Sequence, residues 1–142
     1  MPLQAGVPDP NLPASGKRPR SSMSPTIILK DGKPYLGVGS PGGATIITSV
    51  AQTITEYVDR GLPLVDAIAA PRLSSRNGTE QAEPALFDSA DGAALAAMGH
   101  TLASTPEIGA VTAIRVYRYG QEAAAETVRR GGGSAMVVHP WR

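Results

Sequence analysis

The fold is decided by one stretch of the chain, SSMSPTIILKDGKPYLGVGSPGG at residues 21–43. Within it, the apolar, strand-like runs Thr26–Leu29 and Tyr35–Gly39 flank the pair Asp31-Gly32. An Asp-Gly pair between two such runs is typical of a tight β-hairpin turn in which both residues adopt positive φ. The stretch therefore predicts a β-hairpin. Because both runs are almost continuously apolar or glycine, we expect a sheet that is covered on both faces.

A helix is predicted directly after this stretch. Apolar residues recur with the spacing of one helix face, and Thr45 and Gly61 are suitable as N-cap and C-terminal stop. The expected buried stripe consists of Ile47, Val50, Ala51, Ile54 and Val58.

Two shorter helices are predicted further along. The first has Pro63 in its first turn and is expected to bury Val65 and Ile68. The second is capped by Ser89 and closed by Gly99.

The remaining segments predict loops and a second hairpin. Residues 73–84 are polar and rich in turn residues, with at most a short strand near 81–83. Residues 110–117 and 121–128 form the predicted hairpin, and 134–138 a short edge strand. The order of elements indicates an α+β fold.

The composition excludes several classes of function. Of 142 residues, 18% are charged, the net charge is +1 and cysteine is absent. The lack of cysteine excludes disulfides, a thiolate nucleophile and Cys-ligated zinc. The small net charge, with only 1 Phe, 1 Trp and 4 Tyr, argues against a nucleic-acid partner. No run approaches the roughly 18 apolar residues of a membrane span, so we expect none.

A glycine pair stands where the first predicted hairpin meets the first predicted helix. In Ser40-Pro41-Gly42-Gly43, the glycines allow close approach of a ligand, and N–H groups at a helix N-terminus suit an anion or a developing oxyanion. The phosphate-loop pattern is not met, because no Lys-Ser/Thr pair follows. An ordinary strand-to-helix turn and a site for phosphate or another anion remain alternatives.

Paired serines precede the first strand. Ser21 and Ser22 follow the basic residues Lys17, Arg18 and Arg20, and hydroxyls beside positive charge can hold a carboxylate. The alternative is that they only cap a turn. They are poor nucleophile candidates, because no general base is evident nearby in the sequence.

Other candidate residues carry no site of their own. His100 and His139 lack spaced carboxylates, so no metal is expected. Arg129–Gly133 is a single Arg-Gly run, which predicts a turn rather than an RNA-binding box. The chain does not supply both a nucleophile and a base, and no cofactor is expected.

Taken in order, these motifs resemble the small subunit of the γ-glutamyltransferases, also called γ-glutamyltranspeptidases or glutathione hydrolases. The resemblance runs from Gly6-Val7-Pro8 to about Gly132 and is most specific between Ser21 and Gly43. The matching segments are Gly16–Pro19, Ser21–Thr26, Lys30–Pro34, Gly39–Gly43, Ile46–Thr48 and Ala69–Arg72. The implied fold is part of the αββα sandwich of N-terminal-nucleophile hydrolases, with the first strands of the small subunit missing.

The resemblance also implies roles for single residues. Ser21 and Ser22 match the serines that bind the α-carboxylate of the γ-glutamyl group, and Gly42 and Gly43 match the backbone donors of the oxyanion hole. Residues 1–25 are then an extended Pro/Gly-rich lead-in that carries the substrate-binding serines, and 26–142 are the C-terminal αβ segment. The implied reaction is γ-glutamyl transfer or hydrolysis of glutathione and related γ-glutamyl amides by a threonine nucleophile.

Departures from the family pattern limit what the chain is expected to do alone. The family places the nucleophilic threonine, the start of the small subunit and the large subunit before the segment that matches Met1. These parts are the expected partners, and without them we expect the chain to be inactive. Arg20 stands where an apolar residue is common, and Glu126-Thr127-Val128 departs from a common Asp-Pro motif.

Besides the binding of an anion or phosphate at Gly42-Gly43, one alternative function remains open after the resemblance. The chain could be a non-catalytic remnant, or a binding or structural module of the same fold. For the compartment, the resemblance implies the periplasm or the cell exterior.

Overall fold

The computed structural model describes residues 11–138, so Gly6-Val7-Pro8 and His139 lie outside the described residues. The strands are β1 (Thr26–Lys30), β2 (Lys33–Gly39), β3 (Leu73–Ser74), β4 (Glu80–Ala82), β5 (Leu102–Ser104), β6 (Thr112–Tyr117) and β7 (Gly120–Ala125). The α-helices are α1 (Ile46–Ile54), α2 (Leu64–Ala69), α3 (Pro84–Phe87) and α4 (Ala90–Ala97). A 3₁₀ turn, Gly43–Thr45, precedes α1, and a π-helical turn, Thr55–Asp59, extends it. The fold is α+β.

The main sheet is antiparallel and has the strand order β1-β2-β6-β7. Its first hairpin confirms the prediction, since Asp31 and Gly32 have φ of 52° and 72° at the tight turn. The second hairpin, β6–β7, is also confirmed, although β7 begins at Gly120 and ends at Ala125. Thus the two predicted hairpins form one sheet, joined by pairing of β2 with β6.

Helices α1 and α2 cover one face of this sheet, with Leu36, Val38 and Val111 in the shared core. The predicted stripe of α1 is wrong in part. Val50 is buried, but Ile47 and Ala51 are exposed and so is Val58 in the turn that follows. The fully buried residues of this helix and turn are Ile46, Ser49, Val50, Thr53 and Tyr57, and Ile54 packs half-buried against the core as predicted. Both sides of α1 carry apolar residues, so periodicity alone did not identify the side on which small hydroxyl residues pack.

The two shorter predicted helices are present. Ser89 caps α4 by accepting a hydrogen bond from the Gly92 N–H at 3.1 Å, and Gly99 ends the helix with φ of 97°. In α2, Ile68 is buried as predicted, whereas Val65 is exposed and Leu64 is buried in its place.

A second, three-stranded sheet has the order β3-β4-β5. The sequence predicted only its middle strand, because β4 and β5 pair in parallel and lie far apart in the chain. The predicted edge strand at 134–138 is wrong: no strand is assigned there.

The other face of the main sheet is open. Ile27, Gly37, Ile114 and Ala123 form one cross-strand row on this face. The side chains of Ile27 and Ile114 are 74% and 49% exposed. Among the described residues only the helix side is covered, so these residues by themselves do not provide the cover on both faces that the sequence predicted. Between residues 11 and 138, no helix has the length and apolar character needed to cross a membrane.

Candidate active site

The hairpin register brings the two predicted groups of site residues to the same end of the sheet. Thr26 pairs with Val38, and the Asp31-Gly32 turn closes the opposite end of the hairpin. Ser22 lies four residues before Thr26, and Gly42 lies four residues after Val38. The serine pair and the glycine pair therefore both lie in the chain just beyond the open end of the β1–β2 hairpin. No hydrogen bond between the described residues joins the serines to the glycines.

The glycine pair has a backbone conformation that favours glycine. Gly42 and Gly43 have φ of 145° and 56°, in the region that L side chains rarely adopt. The Gly42 carbonyl accepts hydrogen bonds from the N–H and the hydroxyl of Thr45, at 3.2 and 3.0 Å. Within residues 11–138, the N–H groups of Gly42 and Gly43 have no acceptor.

A serine stabilises this turn from the strand side. The Ser40 hydroxyl donates to the Pro41 carbonyl at 2.7 Å and accepts from the Ala110 N–H at 3.2 Å. The loop before β6 is thus attached directly to the turn that carries Gly42 and Gly43.

Ser21 and Ser22 lie in the segment before β1, which has no helix or strand from residue 11 to 25. Ser21 Oγ accepts from the Met23 N–H at 3.3 Å, which leaves its hydroxyl proton free to point elsewhere. Ser22 is half-buried, and its carbonyl accepts from the Ser24 hydroxyl at 3.2 Å. The local turn holds the two serines without using the Ser21 hydroxyl as a donor.

Four charged side chains in the interior were not predicted as functional residues. Arg72, Glu83, Glu126 and Arg129 are 1–5% exposed and form one ionic cluster. Arg129 donates to both carboxylate oxygens of Glu83 in a bidentate pair. Glu126 accepts from Arg72 at 3.0 Å and from Arg129 at 3.1 Å. Two arginines and two glutamates balance in charge, as burial requires.

Electrostatics within the cluster favour the charged forms of two of its members. Burial opposes the charge of Glu126, but the Val128 N–H and then Arg129 and Arg72 hold its pKa below the ordinary value. Burial likewise opposes the charge of Arg129, whereas its contacts with Glu83 and Glu126 raise its pKa above the ordinary value. The pKa of Arg72 is lowered by burial and by the charge of Arg129.

Local signals for this cluster were present but ambiguous. Arg72 ends the Ala69–Arg72 motif, and Glu126 follows the apolar end of β7. A charge directly after a run of small apolar residues can lie at a surface or in a core. Since the partners of Arg72 come from positions up to 54 residues away, the sequence could not identify the pairing.

The predicted turn at residues 129–133 is confirmed, as the Gly132 N–H donates to the Arg129 carbonyl at 2.9 Å. His100 hydrogen-bonds Glu80 through Nδ1 at 3.0 Å, away from the glycine pair in sequence. Within the described part of the chain, no group of three or more His, Cys, Asp or Glu side chains is arranged to hold a metal ion.

Comparison with known sequences gives a consistent result. The family described as γ-glutamyltranspeptidase matches residues 3–136. The glutathione hydrolase proenzyme of Pseudomonas aeruginosa is 38% identical over 139 residues, which is 93% of this chain and 24% of the relative. That of Bacillus subtilis strain 168 is 43% identical over 107 residues, or 70% of this chain and 17% of the relative. The chain therefore spans at most about a quarter of the length of these relatives.

Comparison of structures agrees. The γ-glutamyltranspeptidase of Pseudomonas nitroreducens, solved in complex with L-DON, superposes with a TM-score of 0.80 at 36% identity. The match covers 94% of this chain and 70% of that one.

Proposed function

Because this chain belongs to the γ-glutamyltranspeptidase family, we propose that it supplies the oxyanion donors and the α-carboxylate contacts for γ-glutamyl transfer or hydrolysis. The observation that carries the proposal is the free N–H pair of Gly42 and Gly43 at the hairpin end from which Ser21 and Ser22 also extend. The substrate class is glutathione and related γ-glutamyl amides. The fold is that of the N-terminal-nucleophile hydrolases.

The chemistry is acyl transfer in two steps. A threonine hydroxyl contributed by the upstream part of the enzyme attacks the γ-carbonyl carbon, and the carbonyl oxygen gains negative charge. The N–H groups of Gly42 and Gly43 donate to that oxygen, which stabilises the charge only as it develops. The amide C–N bond then breaks, the departing amine takes the hydroxyl proton, and the γ-glutamyl group stays on the threonine as an ester. Water or an acceptor amine attacks this ester and releases the enzyme.

The serines orient the substrate for this attack. A carboxylate accepts hydrogen bonds only, and the Ser21 hydroxyl retains its proton for donation because the Met23 N–H occupies an acceptor position on its oxygen. A hydrogen bond to a charged group contributes about 1.5–3 kcal/mol. Binding the α-carboxylate at Ser21 and Ser22 would fix the γ-carbonyl near the glycine pair.

The partners of the chain follow from its share of the family's length. The relatives are proenzymes of which it spans 17% to 24%. We therefore propose that the chain acts with a large subunit and the start of the small subunit, and that the assembled enzyme acts in the periplasm or outside the cell. Because the resemblance places the nucleophilic threonine in the upstream part of the enzyme, we propose that the 142 residues alone do not turn over.

The test uses a chimaeric proenzyme, in which these 142 residues replace the matching region of the Pseudomonas aeruginosa relative. Hydrolysis of a chromogenic γ-glutamyl anilide is measured for the wild-type sequence, for the double variant Ser21→Ala/Ser22→Ala, and for Ser75→Ala, an exposed serine, as control. We expect the double variant to raise KM by about tenfold or more, as the loss of charged hydrogen bonds predicts. An unchanged KM would contradict the carboxylate assignment. A chimaera that is cleaved into its two subunits, as the family's proenzymes are, but is inactive would favour a non-catalytic module.

A further inference from the structure

One segment links the buried ionic cluster to the glycine pair. Ile108 is 2% exposed, and both polar groups of its backbone are held by charged side chains. Its N–H donates to Glu83 Oε1 at 2.7 Å, and its carbonyl accepts from Arg72 Nη1 at 2.7 Å. Hydrogen bonds to ionised partners are roughly twice as strong as neutral ones. Ile108 is therefore fixed in position at the cluster.

The next two residues contact the turn that carries Gly42. A Cβ placed on Gly42 would lie 3.3 Å from the Gly109 Cα, so the two backbones pack directly against each other. A Cβ on Gly109 would lie 2.8 Å from Ser40 Oγ and 2.7 Å from Ser49 Oγ. The Ala110 N–H donates to Ser40 Oγ at 3.2 Å. We call Ile108–Ala110 the brace segment.

Ile108, the end of the brace segment that lies at the ionic cluster, cannot move without the loss of hydrogen bonds. Glu83 Oε2 also accepts from the Arg72 N–H at 2.9 Å, so this carboxylate holds two backbone segments at once. Arg129 balances its charge through the bidentate pair. If Ile108 moved, its buried N–H and its buried carbonyl would both lose their charged partners, and an unsatisfied buried polar group is strongly disfavoured.

We infer that Glu83 and Arg72 are positioning residues for the oxyanion donors, acting on the Gly42–Gly43 turn through the brace segment. The inference rests on the proposed function of the glycine pair. Oxyanion donors must lie about 2.7–3.1 Å from the developing charge. A misplacement of about 1 Å costs about 10²-fold in rate. A clamp at Ile108, two residues from the contact with Ser40, limits such movement of the turn.

The experiment compares Glu83→Gln with Glu107→Gln in the chimaeric proenzyme. Both variants exchange one carboxylate for an amide. Glu83 contacts the brace segment through Ile108, and Glu107 directly precedes that segment in the sequence. Glu107 is exposed and accepts only from the Arg130 N–H among the described residues, at 2.9 Å, so it is a matched control. In Glu83→Gln, the amide NH₂ must face either the Ile108 N–H or the Arg72 N–H, so one of these hydrogen bonds is lost. Glu83→Asp, which keeps the charge but withdraws it by one methylene, is the second variant in case Glu83→Gln does not fold.

The rate is measured per active site, with sites counted from the burst of anilide product that accompanies acyl-enzyme formation. We expect Glu83→Gln or Glu83→Asp to lower kcat about tenfold while KM stays within about twofold, because only a contact with the transition state is weakened. Glu107→Gln should match the wild type. A purely structural role would lower the number of titratable sites but not the rate per site.

A double-variant cycle tests the path through the brace segment. Ser40→Ala removes the acceptor of the Ala110 N–H at the other end of the path. If Glu83 acts through Ile108–Ala110, its variant and Ser40→Ala should together lower kcat by clearly less than the product of their separate effects.

The outcomes separate the inference from the function on which it rests. The inference is overturned, while the oxyanion assignment stands, if a Glu83 variant keeps the wild-type kcat per site. It is also overturned if the double variant with Ser40→Ala loses kcat by the full product of the two separate effects. If Gly42→Ala also leaves kcat unchanged, the oxyanion assignment itself fails and the inference fails with it.

Discussion

The Arg72 guanidinium lies 3.0 Å from the Glu126 carboxylate, although 54 positions separate the two residues in the chain. Their side chains are 2% and 4% exposed. The pair connects the segment after α2 to the residue after β7, and Arg72 also donates to the Ile108 carbonyl of the brace segment. An ion pair in the interior thus joins the C-terminal hairpin to the loop that contacts the glycine pair.

Arg72→Gln is expected to destabilise the assembled chimaera strongly. Removing one partner of a buried ion pair leaves an uncompensated charge and costs about 3–5 kcal/mol. The measurement is the thermal midpoint of the processed enzyme, with the exposed Arg76→Gln as control. Equal midpoints for the two variants would contradict the assigned role of the cluster in stability.

The pH dependence of stability should depend on Glu126. Its pKa is lowered in the folded state, so the carboxylate stabilises the fold above its ordinary pKa of about 4.3, and this contribution is lost as the pH falls through the lowered value. We expect Glu126→Gln to have a lower thermal midpoint than the wild type at pH 7, and this gap to close in acid. Glu107→Gln should show no such gap. A gap for Glu126→Gln that is independent of pH would contradict the ionic role.

The sequence predicted those parts of the fold that are determined by residues close together in the chain. The Asp31-Gly32 turn and the Ser89 cap were predicted because each is fixed by residues within one turn of chain. The pairing of β4 with β5 and the ionic cluster were missed because their partners are distant in sequence. The buried side of α1 was misassigned because it carries Ser49 and Thr53, whose hydroxyls resemble a solvent-facing pattern.

The candidate site was predicted only in part, for the same reason. Gly42 and Gly43 form a local motif, so the break between strand and helix was predicted there, although their positive φ was not. Nothing in the sequence marked Gly109. A side chain is excluded there because Ser40 and Ser49, which belong to other segments, pack against it.

Gly42→Ala should lower kcat in the chimaera by more than about tenfold, approaching the loss of about 10²–10³ that follows removal of one oxyanion donor. The added Cβ would lie 2.7 Å from Thr45 Oγ1, at a φ of 145° that alanine rarely adopts. The turn must therefore shift, and its N–H groups with it. The control is Gly120→Ala, where a Cβ meets no atom within 4 Å and φ is not positive. Equal kcat for the two variants would remove the glycine pair from the mechanism.

The open face of the main sheet leads to opposite predictions for the isolated chain and the assembled enzyme. Ile114 is 49% exposed and lies in the row that begins at Ile27. At about 25 cal/mol per Å², even about 400 Å² of apolar surface left in water forfeits roughly 10 kcal/mol, comparable to the net stability of a domain. We therefore expect the 142 residues alone to self-associate through this face.

Ile114→Lys tests whether this face is covered by the rest of the enzyme. In the isolated chain the charge should reduce self-association, measured by light scattering after size-exclusion chromatography at low and high concentration. In the chimaera the same lysine would be buried between sheets without a partner, so processed enzyme should be lost. Tyr119→Lys, at a position 88% exposed in the β6–β7 turn, should change neither measurement. A wild-type isolated chain that stays monomeric and unfolds cooperatively at both concentrations would show that the open face is a true surface, and a chimaera that tolerates Ile114→Lys would agree.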